Sequence, residues 1–286
     1  MTSAEKKELQ LKAVAVREGV ITSTHSAKAG HPGGSLSSAD LLTYLYFKEM
    51  RVKPEDPKWA DRDRFVLSKG HITPGLYSTL AERGFFPVED LKGFRHLEGK
   101  GSYLQGHPNM NTVPGVDAST GSLGQGLSIA AGMAKGAKFQ NKDINVYALC
   151  GDGEMAEGQI WEATMFSAHY KLDNLCIIVD VNGLQIDGRT KDVMNTAPLD
   201  EKFEAFGCEV VKINGHDFDD IEKAFEKFHK NHGSGKPTVI LMSTTKGKGI
   251  SYMEDNAGWH GKAPNDEQYE QGMAELAAAR KQIEEA

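Results

Sequence analysis

Apolar residues recur at helical spacing between Leu9 and Lys28 (Leu9, Val14, Val16, Val20, Ile21), and Gly30 with Pro32 marks a stop. The pattern predicts a first helix that delivers the turn His31-Pro32-Gly33-Gly34. A second helix is expected over Ser38 to Met50, where Ala39, Leu41, Leu42, Leu45, Tyr46 and Phe47 form a buried face. Five short apolar runs read as strands: Arg64 to Ser68, Asn145 to Cys150, Leu175 to Val181, Glu209 to Ile213 and Thr238 to Ser243. The run Leu175-Cys176-Ile177-Ile178-Val179 has no polar side, as a strand covered on both faces requires. Helical stretches separate the strands, notably Ser122 to Lys138, Gly158 to Tyr170 and Phe218 to Asn231, and a polar tail helix is expected over about 266–285. This alternation predicts an α/β fold with a parallel sheet between two layers of helices. One domain over 1–286 is expected, because no repeat or linker interrupts the pattern. Ligands of such sheets bind beyond the carboxyl ends of the strands, so the residues that follow each strand carry the candidate chemistry.

Two stretches remain irregular, Gly99 to Gly121 and Lys246 to Pro264, both rich in Gly, His, Asn and Pro. Long irregular segments within a compact domain are often functional. Composition narrows the field. With 33 Lys+Arg against 40 Asp+Glu the net charge is −7, which argues against a nucleic-acid partner. No run of about 18 apolar residues is present, so no membrane helix is expected. The charged start Met1-Thr2-Ser3-Ala4-Glu5-Lys6-Lys7-Glu8 does not resemble a secretory leader, and a cytoplasmic location is expected. Cys150, Cys176 and Cys208 lack metal-site spacing and read as buried thiols.

After the strand ending in Cys150 comes Gly151-Asp152-Gly153-Glu154-Met155-Ala156-Glu157-Gly158. The next strand ends in Asp180-Val181-Asn182-Gly183. Asp152 and Asn182 are 30 residues apart, about one strand-helix-strand unit, so both side chains can reach one ion from the same sheet edge. One carboxylate, one amide oxygen and a backbone carbonyl are a poor cage on their own. They suit magnesium completed by diphosphate oxygens and water. Gly151 and Gly153 allow close approach of backbone to phosphate, and a helix opening near Glu157 would present free amides to it. A dinucleotide site is the competing reading, but no Gly-x-Gly-x-x-Gly follows a strand with an acidic residue at the required distance, and no Walker loop is present.

Gly151-Asp152-Gly153 with Asn182 resembles the thiamin diphosphate fingerprint, and the surrounding motifs resemble the transketolase family. Gly30-His31-Pro32-Gly33, Ser68-Lys69-Gly70-His71, Gly106-His107-Pro108, Pro114-Gly115-Val116, Thr120-Gly121-Ser122-Leu123-Gly124-Gln125-Gly126, Glu157-Gly158 and Trp259-His260-Gly261 occur in the family's order. The match extends from the first helix to about Pro264. The resemblance implies a three-layer thiamin diphosphate-binding fold, specifically its pyrophosphate-binding domain. It implies Asp152, Asn182 and the Leu184 carbonyl as ligands of magnesium, with calcium or manganese as substitutes. Gly153, His71 and His260 would contact the diphosphate, and Gly121, Ser122 and Leu123 the cofactor's rings. His31 and His107 would line the donor-sugar channel, which His260 also faces. Histidine suits this work because both of its protonation states are accessible near neutral pH. Glu157 is similar to the family's interface glutamate beside the cofactor, and completes a catalytic set with His31, His107 and His260. Glu162 either joins it in a carboxylate relay or forms a solvated helix-face pair.

The sequence departs from the family pattern at Ser122, where proline is usual, and at Lys28-Ala29, where small polar residues are usual. Lys246 and Lys248 read equally as phosphate ligands and as part of a solvated turn. His25, His96, His169, His216, His229 and His232 fit none of the motifs and read as structural.

In this family the activating glutamate, the pyrimidine's aromatic platform and the sugar-phosphate arginines lie in a second domain, which is absent from this sequence. The implied arrangement is a split enzyme. This chain would be the N-terminal subunit, and a separate C-terminal subunit would bring the pyrimidine-binding domain, in an α2β2 heterotetramer. The polar tail helix favours a complete subunit. The expected activity is transfer of a two-carbon ketol unit from a ketose phosphate to an aldose phosphate, in the pentose phosphate pathway or on a specialised sugar. Alternatives are a deoxyxylulose phosphate synthase-like or 2-oxoacid dehydrogenase-like subunit, and a non-catalytic regulatory subunit.

Overall fold

The computed structural model describes residues 1–286. Helix α1 (Ser3–Ala27) opens on a capping box: Glu5 N donates to Thr2 Oγ1 at 3.2 Å, and Thr2 N donates to Glu5 Oε2 at 2.6 Å. It ends where Lys28 turns left-handed at φ 49°. Short helices α2 (Pro32–Ser37) and α3 (Ala39–Tyr44) follow, and the chain continues through a π-helical turn at Leu45–Glu49. Where one helix was expected from Ser38 to Met50, the structure therefore breaks the run twice. Lys69 Nζ donates to Ser38 Oγ at 2.9 Å, and Ser38 Oγ donates to Gly34 O at 3.0 Å, so tertiary contacts set the break.

The main sheet holds five parallel strands, β1 (Arg64–Leu67), β2 (Val146–Gly151), β3 (Leu175–Val181), β6 (Glu209–Asn214) and β7 (Thr238–Ser243), in the order β1-β2-β3-β7-β6. A small hairpin, β4 (Leu184–Gln185) with β5 (Gly188–Arg189), stands outside it and runs into the one-turn helix α7 (Thr190–Val193). Alternate strand residues feed two cores, as the period of two demands. Leu67, Leu149, Ile178 and Ile240 pack with α1, α3, α4 (Thr73–Arg83) and α9 (Phe218–Asn231). Val66, Ala148, Val179 and Val239 pack with α5 (Gln125–Phe139), α6 (Gly158–His169) and α8 (Leu199–Ala205). Three layers result, as the alternation implied. Cys150, Cys176 and Cys208 are free and buried. No helix is long and apolar enough to cross a membrane.

Helices α4 and α8 had no counterpart in the periodicity. In α4 every residue from Thr73 to Ala81 is buried, so it has no polar face to mark a period. The tail forms α10 (Asp266–Glu285), which lies along α1, and Arg280 Nη2 donates to Glu18 Oε2 at 2.7 Å. The chain order turns back between β6 and β7, so β7 inserts beside β3. The carboxyl ends of β1, β2, β3 and β7 consequently face one cleft.

Candidate active site

That cleft, about 250 Å³, is lined among others by Lys69, His71, Asp152, Asn182, Lys246 and His260. A larger cavity of about 520 Å³ lies between residues 55–62 and 110–117, away from these groups. The chemistry is concentrated in the smaller one.

Residues Gly151 and Asp180 are register partners on β2 and β3, so Asp152 and Asn182 leave neighbouring strands side by side. Asp152 Oδ1 accepts from Gly153 N at 2.8 Å and Oδ2 from Gly183 N at 2.6 Å. Burial and the nearby Asp180 nevertheless push its carboxyl up to about 6, which marks a buried acid short of positive charge. Asn182 Nδ2 donates to Asp180 Oδ2 at 2.9 Å, while Asn182 Oδ1 accepts from Leu184 N at 3.1 Å. The Asp180 carboxylate thus fixes the amide's orientation and leaves its oxygen as the acceptor. The Leu184 carbonyl accepts from Lys246 Nζ at 3.2 Å. No three His, Cys, Asp or Glu side chains stand together as a metal site. A cation held by one carboxylate, one amide and one carbonyl must draw further oxygens from its ligand, and the donor set fits magnesium with a diphosphate in that respect.

Beneath this rim Asp180 is fully buried and accepts from Lys69 Nζ, Thr244 Oγ1 and Ser37 Oγ, the last at 2.7 Å. Burial alone would raise its carboxyl, but Lys69 and the hydroxyl donors hold it at about 2. Lys246 is buried too, and burial together with Lys69 brings its ammonium down to about 8. Two cations with only one fully compensating acid favour an anionic ligand. Neither Lys69 nor Asp180 was singled out by the sequence. Each is a lone charge beside an apolar strand, in Ser68-Lys69-Gly70 and Asp180-Val181-Asn182, and only the strand order pairs them. Lys248 does not join them; its Nζ lies 3.1 Å from Glu254 at the surface.

His31, His71 and His260 form a triangle with ring centroids 5.1 to 5.5 Å apart. The Nδ1 atoms of His31 and His260 are buried without a partner. Burial, followed by neighbouring cations, lowers His31 to about 4 and His260 to about 3, and burial and His260 hold His71 well below its ordinary value. All three rings are neutral at pH 7, each with one donor and one acceptor. The unfolded chain binds more protons than the folded one between pH 6.5 and these lowered values. Stability therefore rises with pH across that window and is lost as pH falls from 6.5 towards 4. In an NMR titration of the histidine rings, His31 and His260 should titrate below about pH 5; midpoints near 6.5 would contradict this environment.

His107 is exposed and stands beside Gly121, where a Cβ would lie 2.8 Å from the His107 Cδ2. Gly121 has φ +152°, so the approach and the backbone both require glycine there. Leu123 lines the cleft, whereas Gly121, Ser122, His31, His107 and Glu157 surround it without lining it. Glu157 and Glu162 are exposed on α6 and its cap.

One expectation is corrected. The first turn of α6 near Glu157 does not face the cleft; a 3-10 turn, Gly153–Ala156, comes between. Buried Glu154 ties that turn inward by accepting from Ser68 Oγ at 2.5 Å, Gly124 N at 2.8 Å and Gly151 N at 3.0 Å.

Fold and cleft together define an α/β domain whose strand ends present a cation-and-diphosphate site of the thiamine diphosphate type. Comparison with known proteins agrees. The family described as "Transketolase, thiamine diphosphate binding domain" matches residues 9–282. The chain is 44% identical over 276 residues to one of the two subunits of the apulose-4-phosphate transketolase of Phocaeicola vulgatus, covering 96% of each. It is 41% identical over 274 residues to a 6-deoxy-6-sulfo-D-fructose transketolase subunit of a Clostridium species, covering 96% of this chain and 98% of that one. The crystal structure of Campylobacter jejuni transketolase superposes with a TM-score of 0.86 at 35% identity, covering 96% of this chain but 45% of that one. The chain belongs to the transketolase family, a family of transferases, and is its thiamine diphosphate-binding part. It spans less than half the length of that one-chain transketolase and nearly the whole length of the separate subunits.

Proposed function

We propose that this chain is the cofactor-binding, N-terminal subunit of a two-chain transketolase, which moves a two-carbon ketol unit from a ketose to an aldose. The observation that carries the reading is the convergence of Asp152, Asn182 and the Leu184 carbonyl at the ends of β2 and β3, opposite Lys69 and Lys246. Thiamine diphosphate supplies the carbon nucleophile for the ketol unit when bound. Asp152, Asn182 and Leu184 would hold magnesium, and Lys69, Lys246, His71 and His260 would face the diphosphate, with Gly153 and Leu123 against the cofactor. His31 and His107, neutral donor-acceptor rings, orient sugar hydroxyls at the mouth and pass protons among them. The substrate class is a ketose with a terminal anionic group, phosphate in the first instance, as the names of the two-chain relatives suggest.

A separate subunit carrying the pyrimidine-binding domain, in an α2β2 assembly in the cytoplasm, completes this reading. Leu123, Ile129, Met165 and Phe166 are exposed around α5 and α6, near Glu157, which supports a protein partner on that side. Calorimetry of thiamine diphosphate binding to the chain mixed with its candidate partner tests the site. Binding should require magnesium, return with calcium or manganese, and disappear in excess EDTA. Undiminished binding in EDTA would contradict the metal assignment.

A further inference from the structure

The segment Thr244–Gly249, which carries Lys246 into the cleft, is gripped from behind by residues outside every motif of the site. Thr245 N donates to His216 Nε2 at 2.9 Å, and His216 Nδ1 lies 2.8 Å from Asp40 Oδ2. Arg17 makes two bonds to the same carboxylate, Nη1 to Oδ1 at 3.0 Å and Nη2 to Oδ2 at 2.6 Å, and its Nε donates to Lys248 O at 3.1 Å. Lys246 is thus bracketed: the segment is held one residue before it and two residues after it. Arg17 and Asp40 are buried. Burial would raise the Asp40 carboxyl, but Arg17 and the His216 bond hold it at about 2, so it remains a charged acceptor.

The bonding fixes the tautomer. Because Nε2 accepts from a backbone amide, the ring is neutral and its proton sits on Nδ1, directed at Asp40. Gly247 N also donates to Gly33 O, and Asp255 N to Lys246 O, each at 2.9 Å. Those bonds hold the segment further along. Thr245 is where the chain leaves β7, so the His216 bond sets the direction in which Lys246 departs.

We infer that His216, anchored by Asp40 and Arg17, is a positioning residue that aims Lys246 at the diphosphate without touching cofactor or substrate. The inference rests on the reading of Lys246 as a diphosphate ligand. Charged groups facing His216 are Asp40 from α3, Arg17 from α1, and Lys248 and Glu254 from the held segment and its continuation. Protonation of Nε2 would set one donor against another at Thr245 and release the segment.

The test combines hydrogen exchange of residues 244–249 in the full chain with thiamine diphosphate affinity, in magnesium, of the chain-partner complex. His216→Phe should lower protection of the segment and weaken affinity about tenfold each, as for loss of one buried hydrogen bond. His216→Gln offers an acceptor and a donor in the same places; it should restore both and, unlike the wild type, keep its protection as pH is lowered. A folded His216→Phe variant with wild-type protection and affinity overturns the inference. If Lys246→Met weakens binding and His216→Phe does not, the inference fails alone; if neither does, the reading of Lys246 fails and takes the inference with it. Should His216→Phe not fold, an equal loss of protection in acid for wild type and His216→Gln overturns it.

Discussion

Replacing Asp152 with alanine is expected to abolish cofactor binding at millimolar magnesium, with a loss of affinity of at least about 100-fold, and to remove ketol transfer altogether. The side chain is the only carboxylate placed on the cation at the ends of β2 and β3. Truncation removes a hard anionic oxygen that neither Asn182 nor the Leu184 carbonyl replaces. It also strips the acceptor from Gly153 N and Gly183 N, the two amides that shape the backbone around the ion. Asp152→Asn separates the two effects. The amide keeps one acceptor for the backbone but lacks the charge, so the fold should persist while magnesium-dependent binding stays at least about 10-fold weaker. Calorimetric titration with thiamine diphosphate, with thermal melts alongside, decides the matter. Tight binding by Asp152→Ala would show that the cation is held elsewhere.

The second large effect is on stability. Asp180→Ala should cost about 3–5 kcal/mol, because it leaves the Lys69 ammonium buried without its counter-charge. It also strands the donors on Ser37, Thr244 and Asn182. A fall in melting temperature on the order of 10 °C follows for a chain of this length. The pair also supplies a control. Lys69→Met with Asp180→Leu removes both charges and should recover much of the stability, since a well-packed apolar pair replaces a buried ion pair at little cost. Cofactor affinity should not return with it, because Asn182 would lose the acceptor that orients its amide. Urea denaturation of the single and double variants measures both terms. A loss below about 1 kcal/mol in Asp180→Ala would mean that water reaches Lys69 once the carboxylate is gone.

The layered fold was legible because its strands are buried on both faces: Leu175 to Val179 admits no polar side, and the spacing of Asp152 and Asn182 matches one crossover. Helix α9 was equally clear, since Phe218, Ile221, Phe225 and Phe228 line one face. Pattern failed where burial is complete or where tertiary bonds decide. Helix α4 has no polar face to give it a period, and the break between α2 and α3 depends on Lys69 reaching Ser38 from another part of the chain. The site divides in the same way. Residues whose type and neighbours announce chemistry, such as Asp152 between glycines or His71 and His260 beside them, could be picked out in advance. Those that act through a distant partner could not. Lys69, Glu154 and Asp180 acquire meaning only when β1, β2 and β3 lie side by side, and His216 only when Asp40 and Thr245 are brought to its two nitrogens.

The same ordering explains why this chain by itself presents an incomplete site. Asp152, Asn182, Lys69 and Lys246 gather at the diphosphate end, while Glu157, Gly121 and Ser122 stand outside the cleft on the side where α5 and α6 expose apolar residues. A partner seated there would enclose the remainder of the cofactor.

The most direct test is a ketol-transfer assay with xylulose 5-phosphate and ribose 5-phosphate, thiamine diphosphate and magnesium. This chain would be assayed alone, then mixed with the separate pyrimidine-binding partner, and finally as Asp152→Ala mixed with the same partner. Formation of sedoheptulose 7-phosphate only in the wild-type mixture is the predicted result. Turnover by this chain alone, or a cofactor-loaded pair that transfers no ketol unit from any ketose phosphate, would contradict the two-chain transketolase.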